Sequence, residues 1–257
     1  SNGGMRFVNL GICFVYIPYY GVQFRNFSVF SEPGVFQIYL NIALLLRLFI
    51  LSKDKMFLRD IVILFLTLLS TFSTMGIVIG VSSLILFLFA SDKGTRNKIK
   101  IRLVCLAIIC VILGAFFFKE EMLAIFDKLK GGGSFNSRYY SLLVVLKAFF
   151  EKPLLGWGYD KLISIVVGEW LSLYTEDLTN TFFTIFATYG VVFGSISLIG
   201  FFANFYDRRK WVISLLVCGL IFLSTCNENM TDSLLLYIMI FWGGNLRNSK
   251  HESLYLT

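Results

Sequence analysis

Arg138 is the residue whose type and placement most invite chemistry. It lies in SFNSRYYSLLVVLKAFFEKPLLGWGYDKL, Ser134 to Leu162, directly after the Gly131-Gly132-Gly133 run, so a loop there gives way to a helix capped by Ser134, Asn136 or Ser137. The helix should end before Pro153. At about 100° per residue, Arg138, Ser141, Val145, Ala148 and Lys152 share one side, with Lys147 and Glu151 nearly opposite as an i, i+4 pair. Arg138 is therefore off the plain solvated face, and it falls in a first turn whose dipole disfavours a cation. An arginine beside free backbone N–H groups can share an anion such as a phosphate with them. The competing reading is an exposed arginine that tolerates its position.

Other chemistries are poorly supplied. The single histidine, His251, sits in the polar C-terminal tail, which leaves no histidine for a nucleophile system or a metal site among the apolar segments. Cys13, Cys105, Cys110, Cys218 and Cys226 lie in or at the ends of apolar stretches without metal or redox spacing and read as small packing residues. Tyr139, Tyr140, Trp157, Tyr159, Trp170 and Tyr174 crowd the segment from Lys119 to Thr179, either as interfacial anchors or as platforms for sugar rings.

The elements that must position these residues are membrane helices. With 57% hydrophobic residues and 15% charged ones over 257 residues, and a mean hydropathy of +0.76, the chain is outside the soluble range. It reads as an all-α polytopic membrane protein, a single integral domain over residues 1–257 with about eight transmembrane helices. The spans are placed at Arg6 to Val22, Val35 to Leu51, Asp60 to Phe72, Gly76 to Ala90, Leu103 to Phe118, Asn180 to Tyr206, Trp211 to Thr225 and Ser233 to Asn245. Arg47, a turn from the basic loop after the second span, is expected to snorkel. Hydroxyls in Ser70-Thr71-Phe72-Ser73-Thr74-Met75-Gly76 are expected to satisfy backbone groups between spans three and four.

Lys53, Lys55, Arg59, Lys93, Arg96, Lys98, Lys100, Arg102, Arg208, Arg209, Lys210, Arg247 and Lys250 then fall on the cytoplasmic side, as the positive-inside rule requires. That distribution accounts for the net charge of +7 without nucleic acid. The stretch 119–179 becomes one large outer loop carrying the amphipathic helix, and CNENMTD, Cys226 to Asp232, a short outer loop.

With these pieces in place the sequence resembles the O-antigen ligase and polymerase superfamily. Arg138 ahead of an amphipathic helix in a large outer loop carries part of the likeness. EKPLLGWGYDKL (Glu151 to Leu162) matches the family's Pro-Leu-x-Gly-x-Gly pattern, and Thr179-Asn180 opens a span that continues to Tyr189-Gly190-Val191-Val192-Phe193-Gly194. Arg25 with SEPG (Ser31 to Gly34) and FSTMG (Phe72 to Gly76) match two earlier patches. Two positions depart from the pattern: Thr179 stands where ligases usually carry a histidine, and Thr74 where the hairpin often has an arginine. The first favours a polymerase. Family members usually have more spans, and a chain that opens on Ser1 is read as N-terminally incomplete.

The resemblance implies a metal-independent glycosyltransferase without cofactor, in the bacterial inner membrane, with its large loop in the periplasm. It would move a growing glycan from undecaprenyl pyrophosphate to a lipid-linked oligosaccharide repeat unit; the alternatives are an O-antigen ligase or a flippase of lipid-linked sugars. A chain-length regulator protein is an implied partner. Arg138 and Arg25 would hold the pyrophosphate, Glu32 would take the acceptor's proton, and Asn180, Trp157 and Tyr159 would bind substrate.

Overall fold

The computed structural model describes residues 6–9, 14–17, 25–30, 32–51, 55–90, 133–165, 178–205 and 211–241. These fall into two compact units, Ser1–Gly132 and Gly133–Thr257. Among the described residues there are eight helices and three short strands.

The first unit opens on an antiparallel sheet of β1 (Arg6–Asn9), β2 (Phe14–Ile17) and β3 (Arg25–Asn26), in which Arg6 faces Ile17 and Tyr16 faces Arg25. This corrects the reading of Arg6 to Val22 as a membrane helix, while the rest of the described chain keeps the helical class expected of it. Periodicity alone does not separate a short apolar helix from a strand. Here Val8, Phe14, Val15, Tyr16 and Ile17 favour a pleated surface, and Gly11, Pro18 and Gly21 interrupt any helix.

Pro33 then starts α1 (Pro33–Phe49) at a position where its missing N–H costs nothing. Phe36, Leu40, Leu44 and Leu48, spaced four apart, form one buried stripe on it. The stripe meets Phe57, Ile61, Phe65 and Leu68 of α2 (Phe57–Ser70) and Leu84 and Phe87 of α3 (Thr74–Ala90) in a single apolar core. Inside this apolar setting the Asn41 side-chain amide donates to Gln37 Oε1 at 2.9 Å and to the Gly76 carbonyl at 3.2 Å, joining α1 to α3. The close approach needs Gly76, because a Cβ there would lie 2.8 Å from Gln37 Cβ.

Arg47 does not snorkel. Its Nη2 lies 3.1 Å from Asp60 Oδ2, and its guanidinium sits 5.4 Å from the Phe57 ring centre. A side chain this buried is held better by a carboxylate on the next helix than by reaching past it. At the α2–α3 corner the hydroxyls act as expected from the sequence. Thr71 Oγ1 donates to the Leu68 carbonyl and accepts from Ser73 N–H, while Ser73 Oγ accepts from Gly76 N–H.

The second unit contains α4 (Gly133–Glu151), α5 (Tyr159–Ile165), α6 (Thr181–Phe205), α7 (Trp211–Thr225) and α8 (Leu234–Phe241). The face of α4 expected to turn inward does so: Ser141, Val145 and Ala148 are buried, with Leu162 and Ala187 against them. Phe182, Phe201 and Phe222 pack α6 against α7. Helix α6, 25 residues long, is the one helix among the described residues long and apolar enough to cross a membrane; α1, α3 and α7 are apolar but shorter. It is not continuous. Gly190, at φ 79° and ψ 179°, breaks it. The span expected at Leu103 to Phe118, the basic loop at Lys93 to Arg102, and residues 119–132 and 166–177 of the large loop lie outside the described residues.

Candidate functional site

The break in α6 is where the Pro-Leu-x-Gly-x-Gly segment docks. Breaking a helix leaves carbonyls and N–H groups without their i, i+4 partners, and in an apolar setting these must be satisfied by protein. The strap from Pro153 to Gly158 supplies the partners: Trp157 N–H donates to the Ala187 carbonyl at 3.0 Å and Gly158 N–H to Thr188 at 2.9 Å, while Val191 N–H donates to Pro153 at 2.7 Å. Such contact between two main chains leaves no room for a Cβ. One at Gly190 would lie 2.0 Å from the Leu154 carbonyl oxygen, and one at Gly156 2.3 Å from that of Thr188.

The strap carries Trp157 and Tyr159. Trp157 Nε1 donates to the Ala148 carbonyl at 2.8 Å, and the Lys152 ammonium stands 3.8 Å from its ring centre. One face of that indole is therefore occupied by a cation. Tyr159 starts α5, is partly exposed, and donates its hydroxyl to Asp232 Oδ2 at 3.0 Å. The bond to Asp232, with burial adding to it, raises the Tyr159 pKa above the usual phenol value, so the group stays a donor at neutral pH.

Asp232 belongs to the loop between α7 and α8, which also holds Arg138. Arg138 Nη2 lies 2.7 Å from Glu228 Oε1, a contact between residues ninety apart in sequence. The helix begins at Gly133, ahead of the caps expected at Ser134, Asn136 or Ser137, so Arg138 is its sixth residue and lies past the first turn in which the sequence reading put it. The Glu228 side chain is 11% exposed and that of Arg138 34%. Glu228 Oε1 also accepts from Asn227 Nδ2 at 3.3 Å.

The loop is fixed from below by Thr181, the first residue of α6. Its hydroxyl lies 2.7 Å from both the Thr225 and Glu228 carbonyls, between which its one proton is shared, and it accepts from Met230 N–H at 3.0 Å. Thr181→Val should therefore strand three buried backbone groups and cost roughly 1–3 kcal/mol. Thr181→Ser should restore most of that. Thermal unfolding in detergent checks this, and equal melting of the Thr181→Val and wild-type proteins would remove Thr181 as the fastening.

Ahead of Thr181, Asn180 takes a left-handed conformation at φ 71°, and its Nδ2 donates to Thr179 Oγ1 at 3.1 Å. Thr179 N–H donates to Ser141 Oγ at 2.9 Å, which ties the start of α6 to α4. Arg138, Asn180, Trp157 and Tyr159 thus belong to one unit, around the ends of α4, α5 and α6. Arg25 and Glu32 belong to the other: Arg25 pairs with Tyr16 in the sheet, and Glu32 is exposed just before α1, without a side-chain capping bond.

Glu228, Asp232 and Thr181 escaped the sequence reading. The available signal was the pair of acids in CNENMTD, a loop assigned to the same side as Arg138.

Fold and site together define an apolar, mostly helical protein in which an arginine–carboxylate pair and a tyrosine–carboxylate pair meet one loop at the helix ends. Residues 61–194, more than half of the chain, match the family described as O-antigen ligase, and the chain belongs to that membrane-associated family of glycan-transferring enzymes. The match includes Arg138, the strap, Asn180 and Gly190, and leaves out Arg25, Glu32, Glu228 and Asp232. No curated protein and no solved structure matches the chain.

Proposed function

We propose that the protein polymerises a surface polysaccharide, transferring a growing glycan from undecaprenyl pyrophosphate to a lipid-linked oligosaccharide repeat unit at the periplasmic face of the inner membrane. The observation that carries this reading is Arg138: it is half-exposed, fixed at one donor by Glu228, and among the described residues uses Nη2 alone for hydrogen bonding. The remaining donors can fork a phosphate.

In the reaction an acceptor hydroxyl oxygen attacks the anomeric carbon. The bond from that carbon to the pyrophosphate oxygen breaks, and its electron pair leaves with the pyrophosphate. Arg138 stabilises that charge, with Arg25 as a second holder, and the donor needs no metal because its leaving group is already activated. Glu32 is the base assigned to the hydroxyl proton, and Asn180, Trp157 and Tyr159 are the sugar-side contacts, Tyr159 with its ring partly open. Thr179, in place of the ligases' histidine, favours polymerase over ligase.

Deleting the gene tests the reaction class. Surface glycan reduced to single repeat units is the expected phenotype. Unattached full-length polymer would instead make the protein a ligase, and loss of all surface repeat units a flippase. Glu32→Gln should sharply reduce polymer if Glu32 is the base, and near-normal polymer would remove it from that role.

A further inference from the structure

We propose that Glu228 is a positioning residue for Arg138, setting the direction in which the guanidinium meets the donor's phosphates. The inference rests on the reading of Arg138 as the phosphate holder.

Two observations carry it. First, the two partners differ in how they are held. The Glu228 main chain is fastened through Thr181 at 2.7 Å, and its carboxylate takes Asn227 Nδ2 at 3.3 Å. Arg138 reaches this fixed carboxylate on a long flexible side chain. Second, exposure is uneven: the Glu228 side chain is 11% exposed and that of Arg138 34%. The carboxylate is the desolvated partner and needs its cation, whereas the guanidinium keeps part of its surface in reach of a ligand. Here one Nη2 contact at 2.7 Å anchors the guanidinium, and among the described residues its other nitrogens make no hydrogen bond. A guanidinium already aimed need not reorganise when charge develops on the leaving pyrophosphate.

Because Glu228 acts through Arg138, its effect should vanish when Arg138 is gone. The assay uses the full chain in proteoliposomes with lipid-linked repeat units extracted from a strain lacking this gene. Glu228→Ala should lower kcat about thirtyfold or more with little change in KM, whereas Glu228→Gln, which still accepts the Nη2 hydrogen bond, should stay within about tenfold of wild type. In an Arg138→Ala background, Glu228→Ala should cost nothing further, a coupling close to the whole single-mutant effect.

If Glu228→Gln, folded and at normal yield, loses as much turnover as Glu228→Ala, the carboxylate does more than aim Arg138 and the positioning role fails. It fails as well if Glu228→Ala keeps wild-type turnover, or if it costs the same factor with and without Arg138. Should Arg138→Ala alone leave turnover intact, the phosphate-holding reading itself falls, an outcome separate from any result at Glu228.

Discussion

Arg138→Lys is expected to lose polymerisation almost as fully as Arg138→Ala, about a hundredfold or more, while keeping the stability that Arg138→Ala gives up. The two substitutions divide the functions of one side chain. Lysine can still reach Glu228 with a charge, so the buried carboxylate keeps a partner and the loop between α7 and α8 stays anchored. What lysine lacks is the planar fork that donates to Glu228 from one nitrogen while presenting others to phosphate. Losing a charge-assisted contact made in the transition state costs roughly 2–4 kcal/mol, which is where the hundredfold comes from. Alanine adds a structural penalty, because Glu228, with its side chain only 11% exposed, loses the Arg138 guanidinium. Polymer length and amount at equal protein level, together with melting in detergent, separate the two effects. Normal polymer from Arg138→Lys at any protein level would reduce Arg138 to the Glu228 ion pair.

How much of this could be read from the sequence depends on the range of the contact. The inward face of α4 follows from spacing alone, and Ser141, Val145 and Ala148 are buried accordingly, with the helix ending before Pro153. The hydroxyl-rich corner at Ser70 to Gly76 was legible for the same reason: its partners lie within three residues of one another. Glu228 was not, because nothing local distinguishes it from Glu32 as an acid in a short loop, and its partner lies ninety residues away. The segment from Arg6 to Val22 misled through composition, since an apolar run of that length suits a helix until Gly11, Pro18 and Gly21 are counted against it. Arg47 misled because its distance from a basic loop was visible and the facing Asp60 on α2 was not.

The break in α6 lay between these cases. Gly190 sits in an otherwise unbroken apolar run, and the sequence read Asn180 to Tyr206 as one span. Pro-Leu-x-Gly-x-Gly was visible as a pattern, but its physical content, a strap completing the hydrogen bonds of a broken helix, appears only when both main chains are seen together. The pattern's glycines are therefore accounted for by backbone contact before any substrate is considered.

That contact makes Gly190→Ala the substitution expected to harm the fold most. At φ 79° and ψ 179° Gly190 occupies a region nearly closed to residues with a Cβ, a cost of about 1–3 kcal/mol by itself. The added methyl would also lie 2.0 Å from the Leu154 carbonyl oxygen and 2.8 Å from Leu155 N, both main-chain atoms that cannot rotate away. The strap must then lift, breaking the bonds from Trp157 N–H, Gly158 N–H and Val191 N–H, each worth roughly 0.5–1.5 kcal/mol. Together these give a loss of roughly 2.5–7.5 kcal/mol, a large fraction of the stability of a marginally stable protein. Gly156→Ala should behave alike, since its Cβ would meet the Thr188 carbonyl at 2.3 Å. Gly158→Ala is the control: its φ of 77° is also left-handed, but no atom lies within 4 Å of the added carbon, so only a backbone penalty of about 1–2 kcal/mol applies. The expected order of melting temperature is wild type, then Gly158→Ala, then Gly156→Ala and Gly190→Ala well below, with protease cutting at Pro153 to Gly158 enhanced in the last two. Gly190→Ala melting level with Gly158→Ala would mean that the strap is not held against the break, and Trp157 and Tyr159 would lose the scaffold that places them.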